Sequence, residues 1–206
     1  MDQHSIRRIL IQHVPANSLD YCCSLWRQSP FDFKLRKSRQ TKVGDFTFRV
    51  GRTPTITVNH DLHPYLFLMT FIHEVAHHYV HQHCKGAEAH GKVWKKTFQD
   101  LMQPILTEEI FPETLLTGLK KHMLSPKASS FSDSELTSLF RSFDQKASTS
   151  ILLSHLPEGS IFHLQGKWFK KGKLRRTRVL CDELKTKRKY LVPIDAPVTN
   201  AQLSLL

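Results

Sequence analysis

His73-Glu74-Val75-Ala76-His77 sets two imidazoles four residues apart, with a carboxylate beside the first. On an α-helix, residues i and i+4 share one face, a turn apart. Both rings can then reach a single Zn²⁺ at ~2.0–2.1 Å. Glu74 is left to reach the attacking water rather than the ion. It can take that water's proton and hand it to a leaving amine, which is the chemistry of amide hydrolysis. The flanking residues are apolar, so the segment reads as a buried helix. The competing reading is a surface cluster in a chain of 13 histidines, continued by His78, His81 and His83.

Two histidines leave a catalytic zinc one protein ligand short. His81 lies on the same face but eight residues from His73, ~12 Å along a helix axis, so these two and His77 cannot share one ion. His73, His77 and His83 have the spacing H-E-x-x-H-x-x-G-x-x-H, which needs a glycine where this chain has Val80. A β-branched residue resists the positive φ of that turn. Glu88 remains as a carboxylate candidate. His90 is favoured: it follows a loop containing Gly86, precedes Gly91 and opens a second helix. Packed antiparallel to the first, that helix would present its opening residue to the metal.

The surrounding elements follow from periodicity. Ile9, Leu10 and Val14 suggest a short first helix; Asn17 or Ser18 would cap a second, carrying Leu19, Tyr21, Cys22, Leu25 and Trp26. Phe31, Phe33 and Leu35 alternate with polar residues, as do Phe46, Phe48 and Val50 after Gly44, and Thr55–Val58 is rich in β-branched residues. These predict a small antiparallel sheet. From Pro64, apolar residues recur at helical spacing until Gly86, and a further helix runs from near His90 to Pro104. Amphipathic stretches follow at Pro112–Leu124 and from Ser132 to about Phe143. In the second, Ser132 and Glu135 form a capping-box pattern. Beyond a boundary near residues 148–150 the pattern returns to β, with three or four short strands over 151–206 and Gly166 and Gly172 expected at turns.

Three stretches together resemble the SprT-like zinc metallopeptidases: Ile56-Thr57-Val58-Asn59 with Leu62, then His73-Glu74-Val75-Ala76-His77, then His90-Gly91-Lys92-Val93-Trp94. The likeness covers roughly residues 5–105. It implies zinc on His73, His77 and His90, Glu74 as base, and a strand beside the cleft. Thr55, Ile56, Thr57, Val58 and Asn59 match that strand, whose edge would pair with an extended substrate. The expected fold class is α+β: a zincin-like domain at 1–148 and a small basic β-rich module at 149–206. The expected activity is zinc-dependent peptide hydrolysis, with nucleic-acid-associated proteins as substrates by resemblance and charge. The alternative is a nucleic-acid-binding protein with a structural or vestigial zinc site. Many SprT-like proteins end in a four-cysteine zinc ribbon, and Cys181 is the only cysteine in 151–206, so no such ribbon can form there.

Charge adds a second theme. The chain carries a net +12, and residues 151–206 hold 11 basic against 4 acidic side chains, net +7. Lys170, Lys171, Lys173, Arg175, Arg176 and Arg178, interleaved with Trp168 and Phe169, are candidate contacts to DNA or RNA. The competing reading makes the aromatics a small core and the charges its solvated face. No apolar run approaches the ~20 residues of a membrane helix. We expect no secretory signal at the N-terminus, and the four scattered cysteines without C-x-x-C point to a reducing cytoplasm.

Overall fold

A computed structural model describes residues 1–39, 42–127, 133–143 and 151–200. The chain divides into two compact units, Met1–Phe143 and Asp144–Leu206. The expected boundary at 148–149 falls at residues outside those described. The architecture is α+β.

The first unit opens with helices α1 (Gln3–Leu10) and α2 (Leu19–Gln28), followed by strands β1 (Asp32–Arg36), β2 (Gly44–Thr47) and β3 (Thr55–Asn59). The sheet order is β1-β3-β2. This corrects two expectations. The sheet is mixed, because β1 runs parallel to β3 and only β2 is antiparallel to it. And Thr55–Asn59 is the central strand, so its backbone is occupied on both sides and offers no edge to a substrate; the free edges are β1 and β2.

Asn59 accounts for the crossing. It is 1% exposed, and its side chain accepts from Arg39 Nε at 2.8 Å and donates to the Lys42 carbonyl at 3.2 Å. Its backbone N–H donates to the Val43 carbonyl. The connection from β1 is thereby tied across the end of β3, and β2 emerges on the opposite side. A short polar side chain that can both donate and accept is what such a junction requires. The expected alternation through Phe48 and Val50 stops early, since β2 ends at Thr47 and a turn follows, with Arg52 N–H bonded to the Arg49 carbonyl.

Helix α3 (Pro64–His83) is the spine of this unit. Pro64 occupies its first turn and the His63 ring accepts the Tyr65 N–H, a start in which proline forfeits no hydrogen bond. Eleven of its 20 residues are buried, distributed around the helix, the pattern of a helix enclosed on several sides. Phe33, Ile56 and Val58 of the sheet join Phe67, Phe71 and Ile72 in one core. Phe71 is fully buried between Phe31 and Phe33, where truncation to alanine costs ~3–5 kcal/mol. Helices α4 (Lys92–Met102), α5 (Glu113–Met123) and α6 (Ser134–Ser142) complete the unit. The cap of α6 differs from expectation. Asp133 is the N-cap and accepts the Leu136 N–H, while Glu135 pairs with Lys121 instead of closing a capping box. Ser132 lies outside the described residues.

The second unit is a six-stranded antiparallel sheet. It comprises β4 (Ile151–Leu152), β5 (Ile161–Leu164), β6 (Lys167–Arg175), β7 (Arg178–Glu183), β8 (Lys189–Pro193) and β9 (Pro197–Asn200), in the order β4-β9-β5-β6-β7-β8. Its core holds Leu153, Leu156, Phe162, Phe169, Val179, Cys181, Val192 and Val198. Phe169 thus belongs to the core, while Trp168 is 41% exposed. Gly166 sits in the β5–β6 turn with φ +79°, as expected. Gly172 lies inside β6 instead, where the register shifts and a side chain would collide with the Leu180 carbonyl; such a bulge needs the missing Cβ. Among the described residues, no helix is long and apolar enough to cross a membrane.

Candidate functional site

Helix α3 delivers His73 and His77 from adjacent turns, and the turn before α4 delivers His90. Their Nε2 atoms converge: 3.3 Å from His73 to His77, 2.9 Å from His77 to His90 and 3.3 Å from His90 to His73. A tetrahedral ion with nitrogen ligands at ~2.0–2.1 Å spaces its donors by ~3.3–3.4 Å, so one ion can engage all three. Among the described residues this is the group whose donor atoms could hold a metal ion. Burial lowers the pKa of His73 to about 3 and of His77 to about 4, with the neighbouring imidazoles pushing the same way. Burial also lowers that of His90. All three are therefore neutral at pH 7, the form that ligates.

His90 reaches this position through a backbone with φ +59°, a left-handed conformation that costs a non-glycine residue of order 1–3 kcal/mol and collects at functional sites. Gly91 closes the turn, its N–H donating to the Glu88 carbonyl at 3.0 Å. A Cβ on Gly91 would lie 3.0 Å from Glu88 Cβ and 3.1 Å from its carbonyl oxygen, so a larger residue there would have to push Glu88 aside by a few tenths of an ångström. Trp94 is fully buried beneath the cluster. It stacks on His77 at 5.1 Å and meets His73 and His90 edge-on at 4.6 Å each. The sequence places Trp94 in the motif; its role as the floor that orients all three rings emerges only from the packing.

Glu74 points from α3 towards β2. Its carboxylate accepts the backbone N–H of Phe46, and its pKa is raised to about 8 by burial, then by Asp45, against the lowering influence of Arg39, that N–H and Lys42. Gly44 makes room for it: a Cβ there would run into Glu74 Oε1 and lie 2.6 Å from Thr70 Cγ2. In the sequence alone, Gly44 reads only as a turn signal. The strand beside the site is consequently β2, an edge strand, in place of the central Thr55–Asn59.

The other candidates go elsewhere. His81 packs on Phe48 at 4.1 Å, and exposed His83 bonds the Tyr79 carbonyl. Glu88 is exposed and outside the nitrogen cluster. His78 is buried and bonds Ser29. In the second unit, Lys170, Lys173, Arg175, Arg176 and Arg178 lie along β6, β7 and their turn. Lys171 instead turns inward, and its ammonium donates to the carbonyls of Leu153 and Leu156; that commits it to the fold and removes it from the set that could meet nucleic acid. Comparison with protein-family models, curated proteins and solved structures found no match.

Proposed function

We propose that this chain is a zinc-dependent metallopeptidase of the SprT-like, zincin type. The carrying observation is the convergence of three neutral Nε2 atoms within 3.3 Å of one another, with a buried carboxylate on the residue next to the first of them. A three-histidine set leaves an ion with an open position, the arrangement of catalytic rather than structural zinc. A zinc ion held there would supply Lewis acidity, polarising the scissile carbonyl and making water more acidic. Glu74 serves as general base for the attacking water and then as acid towards the leaving amine. Without a metal, burial favours the protonated form of Glu74 near neutral pH; a cation held by the histidines would favour the ionised, base-competent form. Trp94 and the turn at His90–Gly91 hold the rings in place. The outer edge of β2, whose Phe46 N–H already meets Glu74, is the place for an extended polypeptide to pair.

Glu74→Gln tests the reading. The variant should keep its zinc, because the carboxylate is not in the nitrogen cluster, and lose peptide hydrolysis by ~10²–10⁴-fold. Undiminished cleavage by the variant would exclude the mechanism.

A second reading is supported by the basic hairpin of β6 and β7. The side chains of Arg175, Arg176 and Arg178 are exposed at its tip, and Arg176 turns the chain at φ +57°. This places three guanidinium groups where a phosphate backbone could meet them. On this reading the cytoplasmic protein binds DNA or RNA through its second unit, and its zinc is structural or vestigial.

A further inference from the structure

The three-stranded sheet of the first unit has two unlike faces. One carries Phe33, Ile56 and Val58 into the core. Alternation sends the intervening residues to the other face, across from the histidine helix. Register aligns Lys34 with Thr57 and Thr57 with Asp45, then Thr55 with Thr47. Together with the turn after β2, these residues line a groove of about 320 Å³ on the first unit.

The charge of this groove is one-sided. Lys34, Arg36, Arg39, Arg49 and Arg52 line it, against the single carboxylate of Asp45. That carboxylate is already held by Lys42 at 2.7 Å and by the Thr47 hydroxyl at 3.2 Å. Arg39 is committed to Asn59 and Thr57. The side chains of Lys34, Arg36, Arg49 and Arg52 are exposed and form no ion pair among the described residues. A surface selected for solubility alone intersperses both signs; gathering like charges in one concavity raises their mutual repulsion unless an anion enters. Thr53 adds an exposed hydroxyl to the lining, whereas those of Thr47, Thr55 and Thr57 are engaged with Asp45, the Thr53 carbonyl and Arg39.

We propose that this face binds the phosphodiester backbone of duplex nucleic acid. The absence of any aromatic side chain from the lining, among the described residues, decides the form. Single-strand binders gain much of their affinity by stacking bases on aromatic rings, and this groove offers none. A duplex presents its phosphates already ordered and needs no stacking platform. Recognition here is sequence-independent and does not involve the metal cluster.

The test is fluorescence anisotropy of the full chain with a labelled 20-base-pair duplex and a single strand of equal length, at several salt concentrations and with or without chelator. The wild type should bind the duplex more tightly than the single strand, with chelator making no difference. The quadruple variant Lys34→Gln, Arg36→Gln, Arg49→Gln, Arg52→Gln should weaken duplex binding by about tenfold or more. It should also flatten the log–log salt slope by about 0.9 for each phosphate no longer neutralised. The pair Arg49→Gln, Arg52→Gln lies outside the strands and gives a partial loss in a protein whose melting temperature is unchanged, so misfolding cannot mimic the result. The triple variant Arg175→Gln, Arg176→Gln, Arg178→Gln should leave the contribution of the sheet face intact. A quadruple variant with wild-type affinity and slope overturns the proposal. So does a triple variant, with the hairpin guanidinium groups removed, that ignores duplex or prefers the single strand.

Discussion

At the scale of single residues, the helical repeat makes the first two candidate ligands readable, because spacing of four fixes a shared face whatever the rest of the fold does. His90 is favoured by the loop and helix start around it; its reach depends on a left-handed backbone that sequence shows only through the neighbouring Gly91. That conformation suggests a sharper substitution than alanine. Asparagine tolerates φ > 0 comparatively well, so His90→Asn should preserve the turn while deleting the imidazole. We expect melting of the metal-free protein to be little changed and zinc content, measured by plasma emission, to fall from about one per chain towards zero. His83→Ala should keep its zinc. A full complement of zinc in His90→Asn would mean that the ion is held elsewhere. Gly44 offers a second prediction. A methyl group there meets Glu74 and Thr70, and overpacking of this kind costs ~1–3 kcal/mol. Gly44→Ala should lower stability to urea by that order and displace Glu74; under the proposed function, zinc content would stay normal and peptide hydrolysis would fall. Unaltered stability and turnover together would show that β2 simply moves away.

At the scale of elements, strand composition and helix periodicity are legible in the sequence, while strand order is not. Thr55–Asn59 reads equally well as an edge or a centre, since β-branched residues suit both. What makes it central is the Asn59 junction with Arg39 and Val43, a long-range set of hydrogen bonds with no periodic signature. The strands β4 and β9 also escape the sequence pattern: the first is two residues long and the second begins at a proline. Helix α6 shows how one cap links elements. Asp133 accepts the Leu136 N–H and pairs at 2.8 Å with His122 of α5, whose side chain is 1% exposed. Its pKa is lowered, chiefly by the hydrogen bond from His122. A carboxylate whose folded pKa lies below its unfolded value favours folding above the unfolded value, near 3.8. That contribution is lost as pH falls through the lower, folded value. Removing the cap by Asp133→Ala should destabilise the first unit at pH 7 by ~0.5–2 kcal/mol. The difference between wild type and variant should shrink as pH is lowered through the range below about 4. Urea melts at pH 7 and pH 3 measure this; an equal difference at both would show that the Asp133 charge contributes nothing.

At the scale of the whole molecule, the two units carry separate hydrophobic cores, one built around α3 and the other between the strands of the second sheet. The histidine cluster belongs wholly to the first. A ligand that binds only the folded form stabilises by RT ln(1 + [L]/Kd), ~2.7 kcal/mol at a hundredfold excess over Kd. Zinc should therefore act on one unit alone. Calorimetry of the full chain should resolve two transitions, of which zinc raises one and chelator lowers it while the other stays fixed. His77→Ala should abolish the response to zinc without moving the second transition. The smaller transition should disappear on truncation near residue 150, leaving the zinc-sensitive one at its former temperature. A single transition that shifts as a body with zinc would mean that the cores unfold as one cooperative structure, and the histidine site would then stabilise the basic β-sheet as well.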